Sequence, residues 1–264
     1  MMTTSRILTE LWDWRSPAWW IALVASIAYF VIARRRGASV VQIALFIASV
    51  VTFIIALASP LAVLAARFLF SAHMVQHLLL LLIVPLCAIL AWPRSDRAAI
   101  TPPPPPPPPA VLWIGWAAGV SAMWFWHIPA LCTAAMRSEL VFGVEVVSLV
   151  ASGTAFWWPV FSPQVERRMP PHIAAAYLFA GCLGCSLLGI YITFTPVSVC
   201  PLYGMVSDST GVLDVVRQQW GLTHRVDQQL GGLLMWVPAC IVYLSAILAS
   251  LASWYCAPIE VEIP

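Results

Sequence analysis

Seven apolar runs divide the sequence, at roughly 18–33, 40–58, 73–92, 110–130, 140–161, 173–195 and 230–253. Each is close to the roughly 20 residues that a helix needs to cross the hydrocarbon core of a bilayer. That core holds no water, so the backbone must satisfy its own hydrogen bonds, and single runs of this kind do so as helices. The repetition predicts an all-α membrane bundle of seven transmembrane helices in a single domain spanning 1–264.

The charge inventory points the same way. Only 9% of the 264 residues are charged and 61% are apolar, whereas a soluble domain is about a quarter charged. So few ionic groups do not cover a water-facing surface, which argues against a soluble enzyme, a disordered chain and a coiled coil. A net charge of +2 supplies no basic stripe, so the expected surrounding is a lipid bilayer and no nucleic acid is an expected partner. All 13 basic residues are arginine. Without lysine there is no Schiff base, which excludes a retinal protein. No Walker-type glycine loop signals nucleotide-driven pumping. The seven cysteines lack the repeated CxxC spacing of a metal finger, and in a membrane chain most are expected to pack as small apolar residues.

Arginine placement predicts the topology. The loops near 34–39, 93–109 and 162–172 hold Arg34, Arg35, Arg36, Arg94, Arg97, Arg167 and Arg168, whereas the short loops near 59–72 and 131–139 hold only Arg67 and Arg137. Positive charge in short loops marks the cytoplasmic side. The N-terminus is therefore expected outside and the C-terminus in the cytoplasm. The long loop 196–229, with Arg217 and Arg225, is expected outside. Arg34 to Arg36 follow the first run instead of preceding it, so that run reads as a span and not a cleaved signal peptide. The proline-rich loop 94–109 includes eight consecutive prolines, Pro102 to Pro109. They are expected to form a polyproline II spacer of about 25 Å at about 3.1 Å per residue.

Ionisable residues inside spans are costly, and each is a functional candidate. Span three opens Ser71-Ala72-His73-Met74-Val75-Gln76-His77. The i, i+4 spacing puts both imidazoles on one helix face, half of a metal site for copper, zinc, iron or nickel. Span four ends Met123-Trp124-Phe125-Trp126-His127-Ile128-Pro129, with a thioether one turn from an imidazole, a pairing that suits the soft cuprous ion. Glu145, near the outer start of span five, reads as a ligand, an orienting group, a proton relay or a helix-start carboxylate. Before span seven, Asp227 reads as a cap or a ligand. Gln228, Gly231 and Met235 share one stripe, and Gly231-Gly232 permit a close helix or ligand approach. The topology, set by arginines alone, places His73, His77, His127, Glu145 and Asp227 at the outer leaflet from four spans. Cys182 and Cys185 form a CxxC, but Gly181, Cys185 and Gly189 form a small-residue stripe, which favours helix packing. Cys132 and Cys200 both fall outside, where they are open to pairing, copper binding or staying free.

The segments Ser71-Ala72-His73-Met74-Val75-Gln76-His77, Trp126-His127-Ile128-Pro129, Phe156-Trp157-Trp158-Pro159 and Asp227-Gln228-Gln229-Leu230-Gly231-Gly232-Leu233-Leu234-Met235-Trp236-Val237-Pro238 resemble the seven-span CtaG family of cytochrome c oxidase assembly factors, in order and over most of the chain. The resemblance implies a multi-pass protein of the bacterial inner membrane, a copper-handling chaperone that is not an enzyme. Its implied partners are cytochrome c oxidase subunits and a copper donor protein. It implies a copper site with His73, His77 and His127 as direct motif matches and Asp227 and Glu145 as acidic positions; for Cu(I), Met74, Met123 or Met235 offers a softer transfer ligand. The family often places a histidine after the span-five glutamate, where this chain has Val146. Two rival readings are a haem-binding redox protein using His77 and His127, and a proton-coupled transporter using Glu145.

Overall fold

The computed structural model describes residues 2–93 and 109–256, apart from the side chains of 109–112 and 166. Arg94, Arg97 and the proline run up to Pro108 lie outside the described residues. Among the described residues, ten helices of seven residues or more follow one another: α1 Thr4–Glu10, α2 Ala18–Arg36, α3 Val40–Ala58, α4 Pro60–Arg67, α5 Phe70–Ala91, α6 Pro109–Trp126, α7 Pro129–Arg137, α8 Glu139–Phe161, α9 Pro171–Phe194 and α10 His224–Tyr255. Among the described residues there is no strand. Six of the helices, α2, α3, α5, α8, α9 and α10, are long and apolar enough to cross a membrane. The 18-residue α6 occupies the fourth apolar run and is not one of the six.

Local chemistry sets the helix ends. Gly37 closes α2 in the left-handed region at φ 71°, where a Cβ would be strained. Ser39 and Gln42 open α3 with a reciprocal capping box. Ser59 and Pro60 then start α4 directly behind α3. The predicted loops near 59–72 and 131–139 therefore contain the short helices α4 and α7. Pro129 opens α7, so α6 stops at Trp126, ahead of the expected edge near 130. α10 begins at His224 on a Thr223 cap, six residues ahead of the expected edge near 230. Its polar first turn is helical because tertiary hydrogen bonds satisfy it. Gln228 Oε1 accepts from the Val199 amide at 3.0 Å, and Gln228 Nε2 donates to the Val197 carbonyl at 3.1 Å.

α5 is the central helix. Its most apolar window is 61% buried, against 11–39% for the other five candidate spans. It widens into a π turn at Leu79–Ile83. Pro85 explains the turn: it has no N–H for the Leu81 carbonyl one turn back, and a π bulge absorbs the mismatch. α8 packs against this point through Gly153, where a Cβ would run into the Leu81 carbonyl oxygen. α9 and α10 form the most extensive helix contact. A Cβ on Gly189 would lie 2.7 Å from Trp236 Cβ, and one on Gly232 would meet Thr193 Oγ1. Both glycines therefore serve backbone approach, as does Gly231 against Phe70 and Met74.

At one end of α5, Tyr29 donates to the Ala91 carbonyl at 3.0 Å, and the Arg36 guanidinium lies 5.9 Å from the Trp92 ring. The opposite end carries the histidines. There α1, α4 and the segment Val212–Gln219 share a second apolar cluster built on Ile7, Leu64, Phe68, Val212 and Val216. Cys132 on α7 and Cys200, beyond α9, form a disulfide that closes a separation of 68 residues. Cys182 and Cys185 do not pair with each other: Cys185 donates to the Met235 carbonyl at 3.0 Å.

α5 has no side-chain cap of its own at Leu69. Asp227 on α10, 0% exposed, supplies one: Oδ2 accepts from the Phe70 amide at 2.8 Å and Oδ1 from the Ser71 amide at 3.0 Å. Asp227→Ala strands both amides, at about 1–3 kcal/mol each. The unfolding midpoint in detergent is expected to fall, with Asp227→Asn in between because its amide keeps one acceptor. Serine at both Cys132 and Cys200 is expected to cost about 2–4 kcal/mol, read by the same unfolding assay against the wild type.

Candidate metal centre

Three parts of the fold bring the site together: α5, α8 and the α6–α7 junction. The i, i+4 spacing on α5 stacks His73 over His77, with ring centroids 4.2 Å apart. Glu145, one and a half turns into α8, points at both. Its Oε1 shares one hydrogen bond with His77 Nε2 at 2.9 Å and lies 3.6 Å from His73 Nε2. One candidate ligand atom from each of His73, His77 and Glu145 falls within 4.8 Å of the others. His127 arrives from the α6–α7 junction, its ring edge-on to His77 at 5.2 Å between centroids. All four side chains are buried, and Glu145 is 1% exposed.

The hydrogen-bond inventory of this cluster is incomplete. His73 Nε2, His77 Nδ1 and Glu145 Oε2 are buried without a partner. Buried polar atoms are ordinarily satisfied, because leaving one bare costs about 1–3 kcal/mol. Trp116, Trp157 and His224 also bury an unpartnered nitrogen, but among the described residues only here do three such atoms fall on neighbouring residues that offer ligand atoms close to one another.

His127 adds a softer half. Its Nδ1 lies 2.6 Å from the Met123 carbonyl oxygen. A carbonyl only accepts, so Nδ1 carries the proton and the neutral ring has a bare lone pair at Nε2. That lone pair faces Met74 Sδ at 3.0 Å, and a thioether is also an electron-pair donor. Two donors aimed at each other with no proton between them fit a soft cation. Met74 thus joins the cluster through its sulfur, whereas Met123 contributes its carbonyl as the orienter of His127.

Asp227 is not in this group. Both of its oxygens are held by the first amides of α5, so it positions the helix that carries His73 and His77. Tyr203 is a neighbour that the sequence did not single out. Its ring lies 6.3 Å from His73 and edge-on to Phe70, and its hydroxyl donates to the Ala65 carbonyl. Burial, then the nearby Glu145 and Asp227 carboxyls, push the Tyr203 hydroxyl well above its ordinary value, so it stays a neutral donor. A tyrosine inside a long polar loop has no spacing signal that would have announced it.

A cluster kept for ligand binding, and not for folding, has a thermodynamic signature. Replacing a buried polar pair by apolar residues of similar volume is often neutral or stabilising, by about 1–4 kcal/mol. The double variant His77→Leu/Glu145→Leu is therefore expected to keep or raise the metal-free unfolding midpoint in detergent. A fall of more than about 2 kcal/mol would assign the pair to holding the fold.

A family model described as cytochrome c oxidase caa3 assembly factor matches residues 25–257. No curated protein and no solved structure matches the chain. The matched range covers α3 to α10 and most of α2, and so takes in every residue of the candidate centre. The chain belongs to the cytochrome c oxidase caa3 assembly factor family.

Proposed function

We propose that this protein supports maturation of a haem–copper cytochrome c oxidase by holding Cu(I) as cargo and passing it to the oxidase. The observation that carries the reading is the convergence of His73, His77, Glu145, His127 and Met74, with three orphaned polar atoms and an unprotonated nitrogen–sulfur pair. Imidazole and thioether are the donors that the cuprous ion prefers, and a carboxylate offsets its charge in a medium where an isolated ion is expensive.

The roles follow from position. His73, His77 and His127 bind the ion. Glu145 orients His77 and balances charge. Met74 offers a weak, soft ligand suited to exchange with an incoming donor atom. Transfer needs only ligand substitution, so no catalytic turnover is assigned. The oxidase is the receiving partner, and a copper donor protein is the supplier. The packing of His77 directly on His127 gives no support to a haem between them, and the polar residues lie at one end of the bundle instead of lining a path across it.

The topology belongs to the same proposal. α6 serves as a seventh span, the N-terminus lies outside, and the C-terminus faces the cytoplasm of a bacterium whose inner membrane holds the protein. The arginine-rich turn after α2 sits against the far end of α5 from the histidines. At 1.5 Å per residue, the 18 and 14 residues from His73 and His77 to Ala91 separate the two by about 21–27 Å. The positive-inside rule then puts the metal centre at the outer leaflet.

The test is oxidase copper content and activity in cells carrying His73→Ala plus His77→Ala, with the variant's membrane level matched to wild type. Both readouts are expected to fall together and to recover with excess external copper. Unchanged oxidase copper and activity would remove the delivery role.

A further inference from the structure

Cys182 has a partner that its CxxC spacing does not suggest. Its thiol donates to Cys240 Sγ on α10, 3.2 Å away. Ser186 Oγ donates to the Cys182 carbonyl at 2.8 Å and meets Cys240 Sγ at 3.3 Å. The single serine proton is committed to the carbonyl, so the Cys240 thiol donates to Ser186 Oγ. Each of the three hydrogens has a place, and the two sulfurs are held in contact as neutral thiols. Cys185 is committed elsewhere, to the Met235 carbonyl.

The pair is reachable. Cys182 and Cys240 are only partly buried, and their sequence neighbours Leu183 and Ile241 are exposed on two candidate spans, facing where lipid would lie. The sulfurs need to approach by about 1.2 Å to reach the roughly 2.05 Å of a disulfide. A disulfide is uncharged, whereas a metal dithiolate would place charge among apolar side chains.

We propose that Cys182 and Cys240 are a redox-active dithiol that closes into an interhelical disulfide, fastening α9 to α10, with a lipid-soluble quinone as the oxidant. Two S–H bonds break and one S–S bond forms. The two electrons and two protons pass to the quinone, which leaves as hydroquinone. The latch joins the two helices that already share the most extensive contact, and α10 is the helix whose Asp227 holds the histidine-bearing end of α5.

The test uses the full chain in lipid nanodiscs, with the Cys132–Cys200 disulfide intact. The protein is exposed without oxygen to a short-chain, fully ring-substituted ubiquinone analogue, then denatured and alkylated, and its mass is read. The alkylatable thiols are expected to drop from five to three, with one hydroquinone formed per protein and a proteolytic fragment linking Cys182 to Cys240. Cys182→Ser and Cys240→Ser should each abolish the drop, whereas Cys185→Ser should retain it. Five alkylatable thiols after quinone treatment of the wild type would overturn the proposal, as would a linkage through Cys185 or oxidation by diamide but not by the quinone.

Discussion

The first two amides of α5 have no acceptor within their own helix, and both end on the carboxylate of Asp227, 157 and 156 residues away in sequence. An anion at a helix N-terminus is favoured by the exposed donors and by the macrodipole together. Here the anion comes from a different helix, so the bond also fixes how α10 sits on α5. Gly231, one turn after Asp227, allows the two helices to come close enough for that bond to form: its Cα faces Phe70 and Met74 with no space for a side chain. The position of His73, His77 and Met74 relative to the rest of the bundle follows from this one contact.

Around that anchor the structure keeps a group of polar atoms that are poorly satisfied. His73, His77, Glu145 and His127 are buried, yet three of their polar atoms lack partners and a fourth faces a sulfur lone pair. An apolar core would be cheaper at this place. The surrounding elements make the arrangement tolerable. The Met123 carbonyl sets the tautomer of His127, Tyr203 covers His73 as a neutral hydroxyl group, and the α1–α4–Val212 cluster closes the end of the bundle. A donor-rich cluster of this kind is what the proposed Cu(I) cargo would occupy.

Much of this was legible in the sequence because membrane helices obey simple rules. Apolar run length placed α2, α3, α5, α8, α9 and α10 within a few residues, and i, i+4 spacing put His73 and His77 on one face. The two misplaced edges have different causes: Pro129 opens α7 and ends α6 early, and tertiary contacts extend α10. Asp227 and Gln228 look like loop residues by polarity, but tertiary partners satisfy them inside α10. Pairings across helices left no trace in spacing. Asp227 on the Phe70 amide, Met74 on His127, Cys182 on Cys240 and Tyr203 over His73 each depend on packing that no single run encodes. The Gly181, Cys185 and Gly189 stripe was readable as a helix contact, and it is one.

The central claim is that one cation is held jointly by the histidine–carboxylate half and the sulfur-bearing half of the centre. Copper K-edge X-ray absorption on the purified, Cu(I)-loaded protein measures this most directly, with Met74→Leu alongside. The account predicts nitrogen or oxygen neighbours plus one sulfur in the first shell of the wild type, with the sulfur lost and the nitrogens retained in the variant. A first shell without sulfur in the wild type, or one that Met74→Leu leaves unchanged, would contradict it.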